Sequence, residues 1–252
     1  MNRCKKRIVV TDYHMDSCMN KTYAIEDLYK MSGRLNPVFD GFAVTIDDFY
    51  ENAEDLHDHL TSRQYPMWKY NSERESPNGV EYNDCRIVDK TGHPTRLQDN
   101  DMQRVLDVCR KYWHKGDYQY NDLLEFNCFQ TITQTDPKMQ HYPHVDSSFD
   151  TPDELATLNM LVYMDKEEDG GTAVYGGNWI TNHEHQSLLF PVEETFDVET
   201  IIPHKFNRCV IFPGNRLHGA WIDDYTKYMG DKWRFTQVKF LNPSRGHHEK
   251  NN

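Results

Sequence analysis

The sequence contains no long apolar run. Its basic start, MNRCKKRIVV, holds only Ile8 to Val10 as an apolar stretch, too short for a signal peptide or a membrane span. Paired cysteines are also missing. The six cysteines at 4, 18, 85, 109, 128 and 209 form no CxxC spacing, which argues against a zinc knuckle or a small disulfide scaffold. They read instead as free, mostly core thiols of a reducing compartment, so the chain is expected in the cytoplasm. Positive charge is scarce: 28 basic against 40 acidic residues give a formal charge of -12. Such a surface repels nucleic acid and anionic lipid, so neither is expected as a direct partner. Internal repeats and low-complexity blocks are absent as well.

What the chain does have is enough length and apolar content for a core. Its 252 residues, 37% of them hydrophobic and 13% aromatic, suit one domain, or one core with an added lobe. Residues 1–20 are polar and expected to be poorly ordered. Phe42-Ala43-Val44 reads as a short strand, followed by a helix whose stripe is Phe49, Ala53, Leu56 and Leu60. The Pro- and Gly-punctuated stretch 63–97 reads as loop with short strands at best. A second helix is marked by a capping box, Asn100 with Gln103, by the stripe Met102, Val105, Leu106, Cys109 and Trp113, and by a stop at Gly116. Six short β-like runs follow: 126–134, 157–164, 172–175, 198–203, 208–213 and 234–241. The organisation expected is α+β, with a helical part over 21–116, an antiparallel sandwich or barrel over 117–245, and a frayed tail over 246–252.

Within the β-rich part, HYPHVD places His144 and Asp146 two residues apart. On a strand, positions i and i+2 share a face, so imidazole and carboxylate converge. His218 follows the run RCVIFP and the turn Gly214-Asn215, and is the natural third ligand. His204, which also follows a strand, is its rival. Two histidines and one carboxylate on one side of a metal leave three positions open, the facial triad of non-haem iron(II) oxygenases. A zinc site more often has four protein ligands, or three and one water. His183-Glu184-His185 sits in a polar insert, 176–197, and reads as solvated loop. His247-His248 belongs to the tail. His141 and Tyr142 flank the candidate ligands, and support of those ligands by either is the lesser reading, while Trp179 and Trp221 divide between rim contacts and core packing.

The order HVD (144–146), GGTAVYG (170–176), RCVIFPGNRLHGA (208–220) and WRFTQVKF (233–240) resembles the iron(II)- and 2-oxoglutarate-dependent dioxygenases. The resemblance spans residues 126–241. VTIDDFYENAEDLHDHL (44–60) is similar to the lead-in helix of the prolyl-hydroxylase-like and phage-borne uncharacterised branches. It implies a double-stranded β-helix (jelly-roll or cupin-like) core supported by N-terminal helices. It further implies Fe(II) on His144, Asp146 and His218, with 2-oxoglutarate as cosubstrate and O2 as oxidant. Arg234 would anchor the distal carboxylate, a task its guanidinium fork suits. Thr236, two residues on and on the same face, would assist it.

The implied reaction is hydroxylation of an amino-acid or peptidyl side chain, with release of succinate and CO2. Thr135 stands where prolyl-hydroxylase-like relatives often carry tyrosine, and the anchor is arginine rather than lysine, which weighs against proline. Asp146 stands where halogenating relatives carry a small residue, which favours hydroxylation. The alternatives are a cupin-like metal dioxygenase without 2-oxoglutarate and a catalytically silent β-sandwich binding protein. Substrate identity, small-molecule or peptidyl, and oligomeric state are left open.

Overall fold

A computed structural model describes residues 29–61, 68–75, 81–87, 99–120, 125–131, 141–176, 197–228 and 234–244. Expectations for residues 1–20, Thr135, Trp179, the triplet 183–185, most of the insert 176–197 and the tail 246–252 lie outside them.

The described chain is mostly antiparallel sheet, with two α-helices. The first helix, α1 (Ala53–Thr61), starts later than its periodicity predicts. Residues 44–46 remain strand, and a turn with Asp48 at positive φ intervenes. Glu54 and Asp55 occupy its first turn, where carboxylates complement the helix dipole. The second helix, α2 (Asp99–Tyr112), begins one residue before the predicted cap and carries Arg110 and Lys111 in its last turn. Its stripe of Met102, Val105, Leu106 and Cys109 is buried, as are Phe49, Ala53 and Leu56 before and within α1. Full burial of a side chain such as Leu56 stabilises by roughly 1.5–3 kcal/mol.

The strands are β1 (Val38–Phe39), β2 (Val44–Ile46), β3 (Trp68–Glu75), β4 (Glu81–Ile87), β5 (Tyr118–Tyr120), β6 (Glu125–Thr131), β7 (His141–His144), β8 (Leu158–Tyr163), β9 (Gly171–Gly176), β10 (Asp197–Pro203), β11 (Arg208–Pro213), β12 (His218–Trp221) and β13 (Arg234–Pro243). A nine-stranded sheet runs β1-β2-β11-β8-β13-β6-β4-β3, with β5 on the far part of β13. A four-stranded sheet runs β10-β9-β12-β7. The stretch 63–97, expected as loop, instead contributes the hairpin β3–β4, and β4 extends the large sheet by pairing with β6.

From β6 onward the chain passes between the two sheets. Strands β6, β8, β11 and β13 join the large one, and β7, β9, β10 and β12 the small one. This exchange is consistent with a double-stranded β-helix.

Alternation along the large sheet separates two cores. Met160 and Val162 of β8, Cys209 and Ile211 of β11, and Phe235 and Leu241 of β13 pack with the helix stripes. The opposite face gives Tyr163, Val210 and Phe212, which pack with Ile202 of the small sheet. Chemistry-bearing side chains are found on that second, inward face. No helix among the described residues is long and apolar enough to cross a membrane.

Candidate metal centre

Two histidines are set opposite each other by strand register. His144 ends β7, His218 begins β12, and the two are direct cross-strand partners, a placement that brings side chains to about 5 Å. Their rings lie 4.4 Å apart, tilted by 50°. Asp146 arrives from the turn after β7. Its backbone N–H, and that of Ser147, donate to the Gly214 carbonyl at 2.7 and 3.1 Å, while the Gly214 N–H donates to Thr157 at 2.7 Å. A Cβ on residue 214 would lie 3.0 Å from the Asp146 Cβ and 3.0 Å from the Thr157 carbonyl oxygen, so glycine permits this close approach.

The donor atoms of His144, Asp146 and His218 all fall within 4.8 Å of one another, and the three could hold a metal ion. Asp146 Oδ2 is 3.2 Å from His218 Nε2, and Asp146 Oδ1 is 3.9 Å from His144 Nε2. The His218 Nδ1–H donates to the Arg216 carbonyl at 2.7 Å. That bond fixes the tautomer and leaves the Nε2 lone pair facing the group. Phe212 meets the His218 ring edge-on at 4.8 Å and limits its tilt. Burial pushes the Asp146 carboxyl up, but His218, His144 and Asn159 more than offset it and hold it below the ordinary carboxylate range. The donor set and the freed nitrogen fit a divalent cation.

Sequence reading missed Asn159. Its Nδ2 donates to Asp146 Oδ2 at 2.6 Å and lies 3.1 Å from His218 Nε2, while its Oδ1 is buried without a partner among the described residues. A polar residue on the inward face of the otherwise apolar strand LNMLVY was the available signal.

Arg234 and Thr236 stand on the inward face of β13, and both are buried. Among the described residues Arg234 forms no ion pair with a carboxylate. Its Nη2 donates to the Gly171 carbonyl at 3.1 Å, and its Cζ lies 5.9 Å from the centre of the Tyr163 ring. Arg234 Nε and Thr236 Oγ1 are buried without partners among the described residues, an arrangement costly enough that such atoms normally serve a ligand or water. Nearby, Tyr163 Oη and Thr172 Oγ1 are hydrogen-bonded at 2.6 Å. Burial raises both the Tyr163 phenol and the Asp165 carboxyl, and the Arg234 charge opposes each rise.

His204, the rival third ligand, is not in the metal group. Trp221 packs half-buried with Val145, Ala173, Tyr175 and Leu217 and donates to Asp223 at 2.7 Å. The side chains of His141 and Tyr142 lie outside the described residues.

No protein-family model and no curated protein matches the chain. Among solved structures, it is similar to the epimerase SnoN in complex with Fe3+, alpha ketoglutarate and nogalamycin RO. That match has 15% identity over 79% of this chain and 78% of SnoN, with a TM-score of 0.48. Apo HygX from Streptomyces hygroscopicus matches at 12% identity over 81% of this chain and 83% of its own, with a TM-score of 0.42. The Fe(II)/(alpha)ketoglutarate-dependent dioxygenase TqaL matches at 13% identity over 82% and 85%, with a TM-score of 0.30. With TM-scores under 0.5, these likenesses by themselves assign neither family nor chemistry to the chain.

Proposed function

We propose that this chain is an iron(II)- and 2-oxoglutarate-dependent oxygenase, built on a double-stranded β-helix, that hydroxylates an amino-acid or peptidyl side chain. The observation that carries the reading is a pairing of two sites. His144, Asp146 and His218 converge within 4.8 Å, and the inward face of the same β-rich core holds Arg234 and Thr236 with unpartnered polar atoms. Three protein ligands leave half of an octahedral shell for cosubstrate and dioxygen. Bound there with 2-oxoglutarate, iron(II) supplies dioxygen activation coupled to decarboxylation to succinate and CO2.

The chain's own residues do the rest. The His218 Nδ1 bond to Arg216 holds the imidazole with its Nε2 aimed at the group. Asn159 steadies the carboxylate of Asp146. Arg234 and Thr236 take the distal carboxylate of the cosubstrate, and the apolar inward residues Val210, Phe212 and Ile202 exclude water beside it.

Anaerobic titration with iron(II) and 2-oxoglutarate tests the reading through the weak visible metal-to-ligand charge-transfer band. The band is expected in the unaltered protein, lost in His218→Ala and weakened in Arg234→Ala. Iron bound without a band would favour the cupin-like dioxygenase without 2-oxoglutarate. No metal binding would favour the silent β-sandwich.

A further inference from the structure

His204 is almost fully buried, at 6% exposure, and neither ring nitrogen has a hydrogen-bond partner among the described residues. It directly follows β10, two residues after the inward-facing Ile202. Its ring lies on Tyr163, 4.7 Å between centres and tilted 30°. Tyr163 is also the residue to which Arg234 lies close, and Thr236 is its cross-strand partner. The same turn holds both candidates: His204 N–H donates to the Gly170 carbonyl at 2.8 Å, and Arg234 donates to the carbonyl of Gly171. Around one tyrosine the fold therefore gathers four buried polar atoms without partners among the described residues: Arg234 Nε, Thr236 Oγ1, and both nitrogens of His204.

Burial, followed by the charges of Arg234, Arg208 and Lys227, drops the His204 pKa to about 2. The imidazole is thus neutral at ordinary pH, with one N–H to donate, and shares Tyr163 with the Arg234 guanidinium, whereas Arg208 and Lys227 are already paired with Asp47 and Asp169. An apolar ligand would leave all four atoms unsatisfied, and a cation would meet Arg234. A carboxylate, with lone pairs to accept several donors at once, fits them.

We propose that His204 is a cosubstrate-binding residue, its ring N–H joining Arg234 and Thr236 on the distal carboxylate of 2-oxoglutarate. The assignment rests on the reading above and adds to it a specificity element that the sequence places only as a rival metal ligand. Loss of a hydrogen bond to a charged group corresponds to about a tenfold to hundredfold change in affinity.

The test is calorimetric titration of the zinc(II)-loaded, full-length protein with 2-oxoglutarate, with no turnover involved. His204→Phe, which keeps a ring against Tyr163, should weaken 2-oxoglutarate by that factor while zinc affinity stays unchanged. His204→Gln, which keeps a donor, should recover part of the loss. Should the phenylalanine variant not fold, histidine-labelled 15N spectra of the unaltered zinc protein decide. The resonance absent in His204→Gln must shift when 2-oxoglutarate is added. Unchanged affinity in a folded His204→Phe, or no such shift, overturns the His204 assignment alone. Metal bound without 2-oxoglutarate in the unaltered protein overturns the oxygenase reading, and this assignment with it.

Discussion

Replacing Asn159 by alanine separates the metal site from the fold around it. The side chain has two contacts of unequal weight: a 2.6 Å donation to a carboxylate oxygen of Asp146 and a 3.1 Å approach to Nε2 of His218. The first is charge-assisted, worth about 1.5–3 kcal/mol, and survives metal binding. The second is a neutral contact of about 0.5–1.5 kcal/mol and opposes the metal, because the Nε2 lone pair must be released to become a ligand. The first contact acts on affinity through orientation, holding the Asp146 carboxylate toward the other two ligands. Asn159→Ala should therefore lower divalent-metal affinity by about tenfold to a hundredfold, the range found when a ligand's orienting partner is removed. Stability without metal should also fall, by less than the full value of the lost bond, because the substitution removes an Oδ1 that is buried and unpaired among the described residues. Manganese(II) titration followed by paramagnetic resonance, with thermal melts of the metal-free protein, reads both quantities. Unchanged metal affinity with a melting point several degrees lower would refute the reasoning and make Asn159 a packing residue.

Two further outcomes follow from the backbone and the surface. A Cβ on residue 171 would sit 2.0 Å from the Ile202 carbonyl oxygen, at a φ of +153°. Gly171→Ala should thus cost more than about 4 kcal/mol and show as loss of soluble protein or a large fall in melting temperature. Asp47 is held down to about pKa 2, chiefly by its Arg208 hydrogen bond, which with Lys205 outweighs burial. A depressed carboxylate contributes stability that is complete above its unfolded value of 3.8 and is lost as pH falls through about 2. Asp47 is 38% exposed, so screening reduces the effect to about 1 kcal/mol. Asp47→Asn should melt lower than the unaltered protein at pH 7, with the gap closing between pH 4 and pH 2.

Much of the β-rich core was legible because its strands bury at least one face. TLNMLVYM, TAVY, VETIIP, RCVIFP and RFTQVKFL each fall on a strand within a residue or two. His144 and Asp146 do meet, but not by sharing a strand face as the two-residue spacing suggested: β7 ends at His144 and Asp146 comes from the turn after it, while His218 needed the register between β7 and β12, which is non-local. The hairpin β3–β4 was not legible. WKYNSERE and EYNDCRI show no apolar alternation, and their strand state is tied to the ladder with β6. The late start of α1 was hidden for a related reason, since β2 is held as strand by its pairing with β11 against the helical period around it. Asn159 and His204 were visible as polar residues in or after apolar runs. What each does depends on which strands lie beside it, and local pattern does not carry that.

Strand β3 is the last rung of the large sheet among the described residues. An open rung offers unpaired backbone donors and acceptors to any extended segment, including β3 of a second molecule. Its eight residues include Lys69, Glu73, Arg74 and Glu75, and a sequence so rich in charge is a poor template for docking another strand. The polarity that hides this strand from a hydrophobic-pattern reading thus also guards the sheet's end against self-association. Replacing those charges with valine or isoleucine would make the strand easier to recognise and the protein harder to keep in solution.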